Sequence, residues 1–169
     1  MNARRAERPI KLYIFDADGT LRRSTVPGQP CPNGPGQWEL IPGVRERLAR
    51  IEWGDGRARF GVATNQGGIG LGYLTIETAR AMLVEMVEQA FGVAPPVGSI
   101  EICPHAPHLG CACRKPRPGM LRSLMHRFKA TRAETLFVGD MDRDREAARR
   151  AGVRFSWAYE FFGRPGPAH

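Results

Sequence analysis

With 169 residues, 42% apolar and 25% charged, the chain has the composition of one globular domain around a single core. Its 20 glycines and 14 prolines cluster between apolar segments without a repeat period, and no apolar run approaches the roughly 18 residues of a membrane span. Collagenous, low-complexity and transmembrane classes are therefore excluded, while the net charge of +8 (25 basic minus 17 acidic) attracts phosphate in any form, nucleic acid included.

Residues 1–9 read as a basic tail with no signal-like apolar stretch behind it, which points to a cytoplasmic protein. Lys11 to Phe15 is a β-branched and aromatic run that reads as a buried strand, ended by the polar turn Asp16-Ala17-Asp18-Gly19-Thr20. Residues 22–37 hold four prolines and three glycines and are expected to form a lid-like loop over one end of the sheet. Pro42 and Gly43 open a helix with Val44, Leu48 and Ile51 inward, and Arg59 to Ala63 makes a second strand. Thr75 caps the longest helix, which runs to about Phe91 with Ile76, Leu83, Val87 and Ala90 on its buried face, and Gly92 ends it. Ser99 to Ile102 is a third strand, and Pro118 starts a helix with Leu121, Met125 and Phe128 inward. Thr135 to Gly139 is a fourth strand, Asp142 to Ala151 a short helix closed by Gly152, and Val153 to Trp157 a fifth strand.

Strands alternating with helices predict an α/β fold over residues 1–169. It is a Rossmann-like parallel sheet of about five strands with helices on both faces and no large cap. Such sheets bind ligands at the carboxyl ends of their strands, where the polar residues gather here: Asp16 and Asp18, then Thr64 and Asn65, then a Cys/His loop, then Asp140 and Asp144. Neighbouring carboxylates resist joint ionisation unless a cation screens them, so Asp16, Asp18 and Asp140 suit Mg²⁺ completed by a substrate phosphate. A carboxylate placed there also suits attack on phosphorus, with its neighbour as general acid and then base. An Asx-turn before glycine is the plainer alternative for the first pair.

Three of the four cysteines, Cys103, Cys111 and Cys113, lie within eleven residues beside His105 and His108, which points to metal before disulfides. Cys103, His105, Cys111 and Cys113 satisfy tetrahedral Zn²⁺ with no open position, a structural site. By spacing alone, His108 rivals His105, and unmetallated thiols stay open. Trp38 and Tyr73 suit stacking on a base or sugar ring, although Trp38 also suits packing.

As a set, Asp16-Ala17-Asp18-Gly19-Thr20, Thr64-Asn65-Gln66, Lys115-Pro116 and Gly139-Asp140 with Asp144 resemble the four motifs of the haloacid dehalogenase-like phosphatases. The resemblance implies Asp16 as nucleophile, Asp18 as acid/base, and Thr64, Asn65 and Lys115 as phosphate-binding residues. It further implies Asp16, Asp18 (through its carbonyl), Asp140 and Asp144 as the Mg²⁺ site. The loop over residues 103–114, Cys103-Pro-His105 to Cys111-Ala-Cys113-Arg-Lys-Pro, looks like that of the zinc-loop subfamily of D-glycero-D-manno-heptose 1,7-bisphosphate 7-phosphatases and histidinol-phosphate phosphatases. There zinc orders the loop carrying the motif lysine, and Arg114 would face the distal part of a small phosphorylated substrate. Two departures stand out: Ala17, where that subfamily usually has arginine, and a short Cys103 to Cys111 interval. Pro32 to Trp38, Thr64 to Gly70 and Glu160-Phe161-Phe162 also look like polynucleotide 3'-phosphatase segments, which keeps a DNA end as an alternative substrate. A non-catalytic nucleic-acid or protein-binding module is the remaining alternative.

Overall fold

Short apolar strands whose side chains are buried on both faces set the architecture. The structure, a computed structural model, describes residues 8–167, so the expected tail lies outside it at residues 1–7. In chain order the elements are β1 (Leu12–Phe15), β2 (Arg22–Ser24), β3 (Trp38–Leu40), α1 (Val44–Leu48), β4 (Arg59–Asn65), α2 (Gly67–Gly70), α3 (Ile76–Phe91), β5 (Ile100–Cys103), α4 (Gly119–Phe128), β6 (Thr135–Gly139), α5 (Asp142–Ala151), β7 (Arg154–Trp157) and α6 (Ala158–Phe161).

β5-β4-β1-β6-β7 form one parallel sheet, with Leu12 to Phe15 in register with Arg59 to Val62 on one side and Thr135 to Val138 on the other. Phe15, Phe60, Val62 and Val138 face α3 through Met82, Leu83, Met86 and Val87. Leu12, Ile14, Ala63 and Phe137 face the other way, onto Met120, Leu121 and Leu124 of α4 and the alanines of α5. Helices therefore cover both faces, as the alternation of elements predicts. With β1 central, the carboxyl ends of β4, β1 and β6 lie side by side, so residues from three distant segments meet there.

The structure corrects several local expectations. Residues 22–37 are not all loop: Arg22–Ser24 pairs antiparallel with Trp38–Leu40. The four prolines all fall at 27–35, between the two strands, so no ladder amide is lost. Ile76 is 38% exposed, and the buried face of α3 instead runs through Ala79, Met82, Leu83, Met86, Val87, Ala90 and Phe91. Ile51 lies beyond α1, and the short α2 and α6 went unforeseen. Thr75 does accept the Thr78 N–H at 3.1 Å, and Gly92 ends α3 at φ 71°, as the sequence predicts. No helix among the described residues is long and apolar enough to cross a membrane.

Candidate active site and Cys/His loop

Asp16 ends β1, Asp140 follows β6, and Asp144 points back from the first turn of α5. Oxygens of the three carboxylates all lie within 4.8 Å of one another. Lys115, on the loop before α4, reaches between them with Nζ 2.7 Å from Asp16 Oδ1, 2.8 Å from Asp144 Oδ1 and 2.8 Å from the carbonyl of Ala63. Asp16, Lys115 and Asp144 are all buried. Burial pushes the Asp16 carboxyl well up, against the opposing pull of Lys115, and Asp144 and Asp140 push it further. Burial likewise raises Asp140. Lys115 stands above its ordinary value because Asp16 and Asp144 outweigh the cost of burying the ammonium. With the three acids ionised, one ammonium leaves two negative charges in excess, which is the charge a divalent cation carries. All-oxygen donors suit Mg²⁺.

Asp144 does two further things. Its Oδ2 accepts the backbone N–H groups of Asp140 at 3.2 Å and Met141 at 3.0 Å, so it shapes the β6–α5 turn while its other oxygen holds Lys115. Gly139 and Gly19 leave room for this crowding: a Cβ on either would sit within 2.5 Å of Asp144 or Asp140 side-chain atoms.

Asp18 is not part of this cluster. Its Oδ1 accepts from Arg22 Nε at 2.8 Å and its Oδ2 from Gln66 Nε2 at 2.8 Å. Gln66 also donates to the buried Thr64 Oγ1 at 2.8 Å, joining the ends of β1 and β4. Asn65, expected at phosphate, spends its side chain on the Lys115 backbone: Nδ2 donates to the carbonyl at 3.1 Å, and Oδ1 accepts the N–H at 3.0 Å. The sequence alone assigns Gln66 and Arg22 no role. Gln66 was within reach as the residue after the threonine motif, whereas nothing local marks Arg22.

The second cluster brings together Cys103, His105, Cys111 and Cys113, with ligand atoms within 4.8 Å of one another. Cys103 Sγ lies 3.8 Å from Cys111 Sγ, and His105 Nδ1 lies 3.5 Å from Cys103 Sγ and 3.2 Å from Cys113 Sγ. A tetrahedron with zinc–sulfur bonds of about 2.3 Å has sulfur–sulfur edges of about 3.8 Å, so these donors fit Zn²⁺. His108 is exposed and outside the group, which decides between the two histidines. The glycines of α2 let this loop approach: a Cβ on Gly70 would meet the Ala106 nitrogen at 2.6 Å and the Pro104 oxygen at 2.8 Å. Arg114 rests its guanidinium on the His105 carbonyl at 3.3 Å.

Around the mouth, burial, with Asp18 and Asp16 nearby, pushes the Cys31 thiol up to about 11 and keeps it protonated at neutral pH. Tyr73 is 64% exposed, free for a ligand, while Trp38 is buried with Arg22 5.8 Å from its ring centroid. Phe161 and Phe162 pack on Phe15, so the two rings of the Glu160-Phe-Phe segment belong to the core, while Glu160 is exposed.

A family model described as HAD-hydrolase-like matches residues 112–157. The D-glycero-β-D-manno-heptose-1,7-bisphosphate 7-phosphatase of Pseudomonas aeruginosa is 40% identical over 141 residues, which is 82% of this chain and 75% of that protein. The same-named enzyme of Bordetella bronchiseptica is 35% identical over 143 residues, 85% of this chain and 77% of its own. A crystal structure of D,D-heptose 1,7-bisphosphate phosphatase from B. bronchiseptica, complexed with magnesium and phosphate, superposes with a TM-score of 0.73 at 34% identity, covering 86% of this chain and 79% of that one.

Proposed function

The chain belongs to the haloacid dehalogenase-like phosphatases, and from that membership we propose a Mg²⁺-dependent phosphomonoesterase acting in the cytoplasm on a small phosphorylated metabolite, foremost a sugar bisphosphate. One observation carries the reading: Lys115 bridges Asp16 and Asp144 beside Asp140, at the carboxyl ends of adjacent strands.

Asp16 is the nucleophile, attacking phosphorus to form an aspartyl-phosphate. Attack needs its ionised form, which burial opposes and Lys115 at 2.7 Å favours. Thr64 and Lys115 hold the phosphoryl oxygens, and Asn65 acts through Lys115 by clamping its backbone. Asp18 protonates the leaving oxygen, then takes a proton from the water that hydrolyses the aspartyl-phosphate. Arg22 and Gln66 fix the direction of that carboxylate. Asp16, Asp140 and the Asp18 carbonyl, with Asp144 in support, would hold Mg²⁺, which when bound would supply positive charge to offset the equatorial phosphoryl oxygens. Cys103, His105, Cys111 and Cys113 would hold a structural Zn²⁺ that would order the loop presenting Arg114 and Lys115, with Arg114 toward the substrate's distal part.

A comparison of kcat/KM on sugar bisphosphates, sugar monophosphates, histidinol phosphate and a 3'-phosphorylated oligonucleotide, each at two salt concentrations, tests the substrate class. We expect the sugar bisphosphates to lead with weak salt dependence. A preference for the oligonucleotide that collapses at high salt would establish the polynucleotide alternative instead. Inactivity on every phosphoester would favour a binding module.

A further inference from the structure

Of the eight phenylalanines, three tryptophans and three tyrosines, Tyr73 alone touches no other ring and no cation among the described residues, and it is 64% exposed. A ring left in water forgoes the burial that the other aromatic side chains gain. None of the steps above uses it.

Tyr73 follows α2, whose first two residues are glycines. A Cβ on Gly68 would lie 3.6 Å from Tyr73 Cδ2 and 3.6 Å from Asn33 Oδ1, and a Cβ on Gly67 would lie 3.2 Å from Arg114 Nη1. Three loops therefore close on one short stretch of chain: Asn33 comes from between β2 and β3, Tyr73 from between α2 and α3, and Arg114 from after β5. That stretch starts directly after Asn65 and Gln66, which hold the Lys115 backbone and the Asp18 carboxylate, so it adjoins the reaction centre. Asn33 is fixed through its backbone N–H, which donates to Gln37 Oε1 at 3.0 Å, and its side-chain amide has no hydrogen bond among the described residues. Arg114 gives one donor to the His105 carbonyl and has no ion pair among the described residues. An aromatic face, an amide and a guanidinium thus stand uncommitted side by side, although they reach this place from three separate segments.

We propose that Tyr73 and Asn33 are specificity-determining residues that hold the sugar between the scissile phosphate and Arg114. The ring of Tyr73 carries a C–H face of the sugar, and the Asn33 amide, which both donates and accepts, meets its hydroxyls. Arg114 then takes the distal phosphate, which a guanidinium fork matches in geometry and charge. The inference rests on the phosphatase reading and adds to it the residues that tell a sugar from any other phosphomonoester. Glycine at 67 and 68 is part of the device, since a side chain at either position would press on the groups that meet the substrate.

The test uses the full chain with Mg²⁺ and the variants Tyr73→Ala, Tyr73→Phe, Asn33→Ala and Arg114→Gln. Effects are read as kcat/KM on a sugar monophosphate and on a sugar bisphosphate, each divided by kcat/KM on acetyl phosphate, which carries a scissile phosphoryl group without a ring or a second phosphate. Tyr73→Ala should lower both ratios at least about fivefold, chiefly through KM, and Tyr73→Phe should restore most of the loss because the ring and not the hydroxyl does the holding. Asn33→Ala should lower both ratios at least about threefold. Arg114→Gln should lower the bisphosphate ratio more than the monophosphate ratio. Unchanged ratios in Tyr73→Ala and Asn33→Ala, with a wild type that hydrolyses sugar phosphates, would overturn the sugar subsite. A fall confined to a 3'-phosphorylated oligonucleotide would overturn it too, by giving the ring to a base. A wild type inactive on every phosphoester would instead defeat the underlying functional reading.

Discussion

Lys115 and Asp16 stand 99 residues apart in the chain and 2.7 Å apart in the fold, both nearly without solvent contact. The ammonium is shared with Asp144, so removing it strands two buried carboxylates. Lys115→Met should cost about 3–5 kcal/mol of stability in metal-free protein, and Mg²⁺ should restore part of it. Hydrolysis should fall by at least about a hundredfold. Denaturant unfolding with and without Mg²⁺ checks the first expectation, and initial rates check the second.

Asp16 and Asp140 are acids whose pKa values rise on folding. Their contribution to stability is intact below the ordinary carboxylate range and is lost as pH climbs through the raised folded values. Glu134 and Glu146, lowered to about 2, act oppositely but only below about 4.5. Metal-free protein should therefore lose melting temperature as pH rises above the ordinary carboxylate range. Mg²⁺ should raise Tm more at pH 7.5 than at pH 5, where protons compete for the same oxygens. Equal Mg²⁺ stabilisation at both pH values would count against metal binding by this cluster.

Asp16→Asn removes the nucleophile while keeping size and shape. Turnover of an aryl phosphate should drop by at least about a thousandfold, with circular dichroism and zinc content unchanged. An active variant would exclude covalent catalysis by Asp16.

Protein purified without added zinc should carry one zinc per chain by metal analysis. Cys111→Ser should lose it and should also lose activity, because Lys115 follows Cys113 by two residues. Full activity with no bound metal would separate the loop from catalysis.

Asn65→Ala removes both hydrogen bonds that hold the Lys115 backbone. A cost of about 1–3 kcal/mol in stability is expected, together with lower kcat. Asn65→Asp keeps the acceptor for the Lys115 N–H and should retain more of both. A rise in KM alone would mean that the amide touches phosphate directly.

The strands of the parallel sheet were legible because each is a short run rich in β-branched or aromatic residues, and α3 because Thr75 and Gly92 bracket it. The pairing of β2 with β3 was not, since it joins residues across a proline-rich stretch that locally denies strand. Trp38 and Phe161 gave no local sign of whether they face a ligand or the core, because an aromatic ring serves either purpose equally well.

By itself the sequence determined which residues could do chemistry and in what order they come, since carboxylates after strands and paired Cys/His ligands are local patterns with few other uses. Only the tertiary structure decided their partnerships. It placed Lys115 between Asp16 and Asp144, put Asn65 on the lysine's backbone, chose His105 over His108, and turned Asp18 toward Arg22 and Gln66. Those choices depend on strand order, which sets β1 between β4 and β6, and on the close approach that glycines at 19, 70 and 139 permit. Strand order is fixed by burying apolar faces over the whole chain, so no short window of sequence contains it.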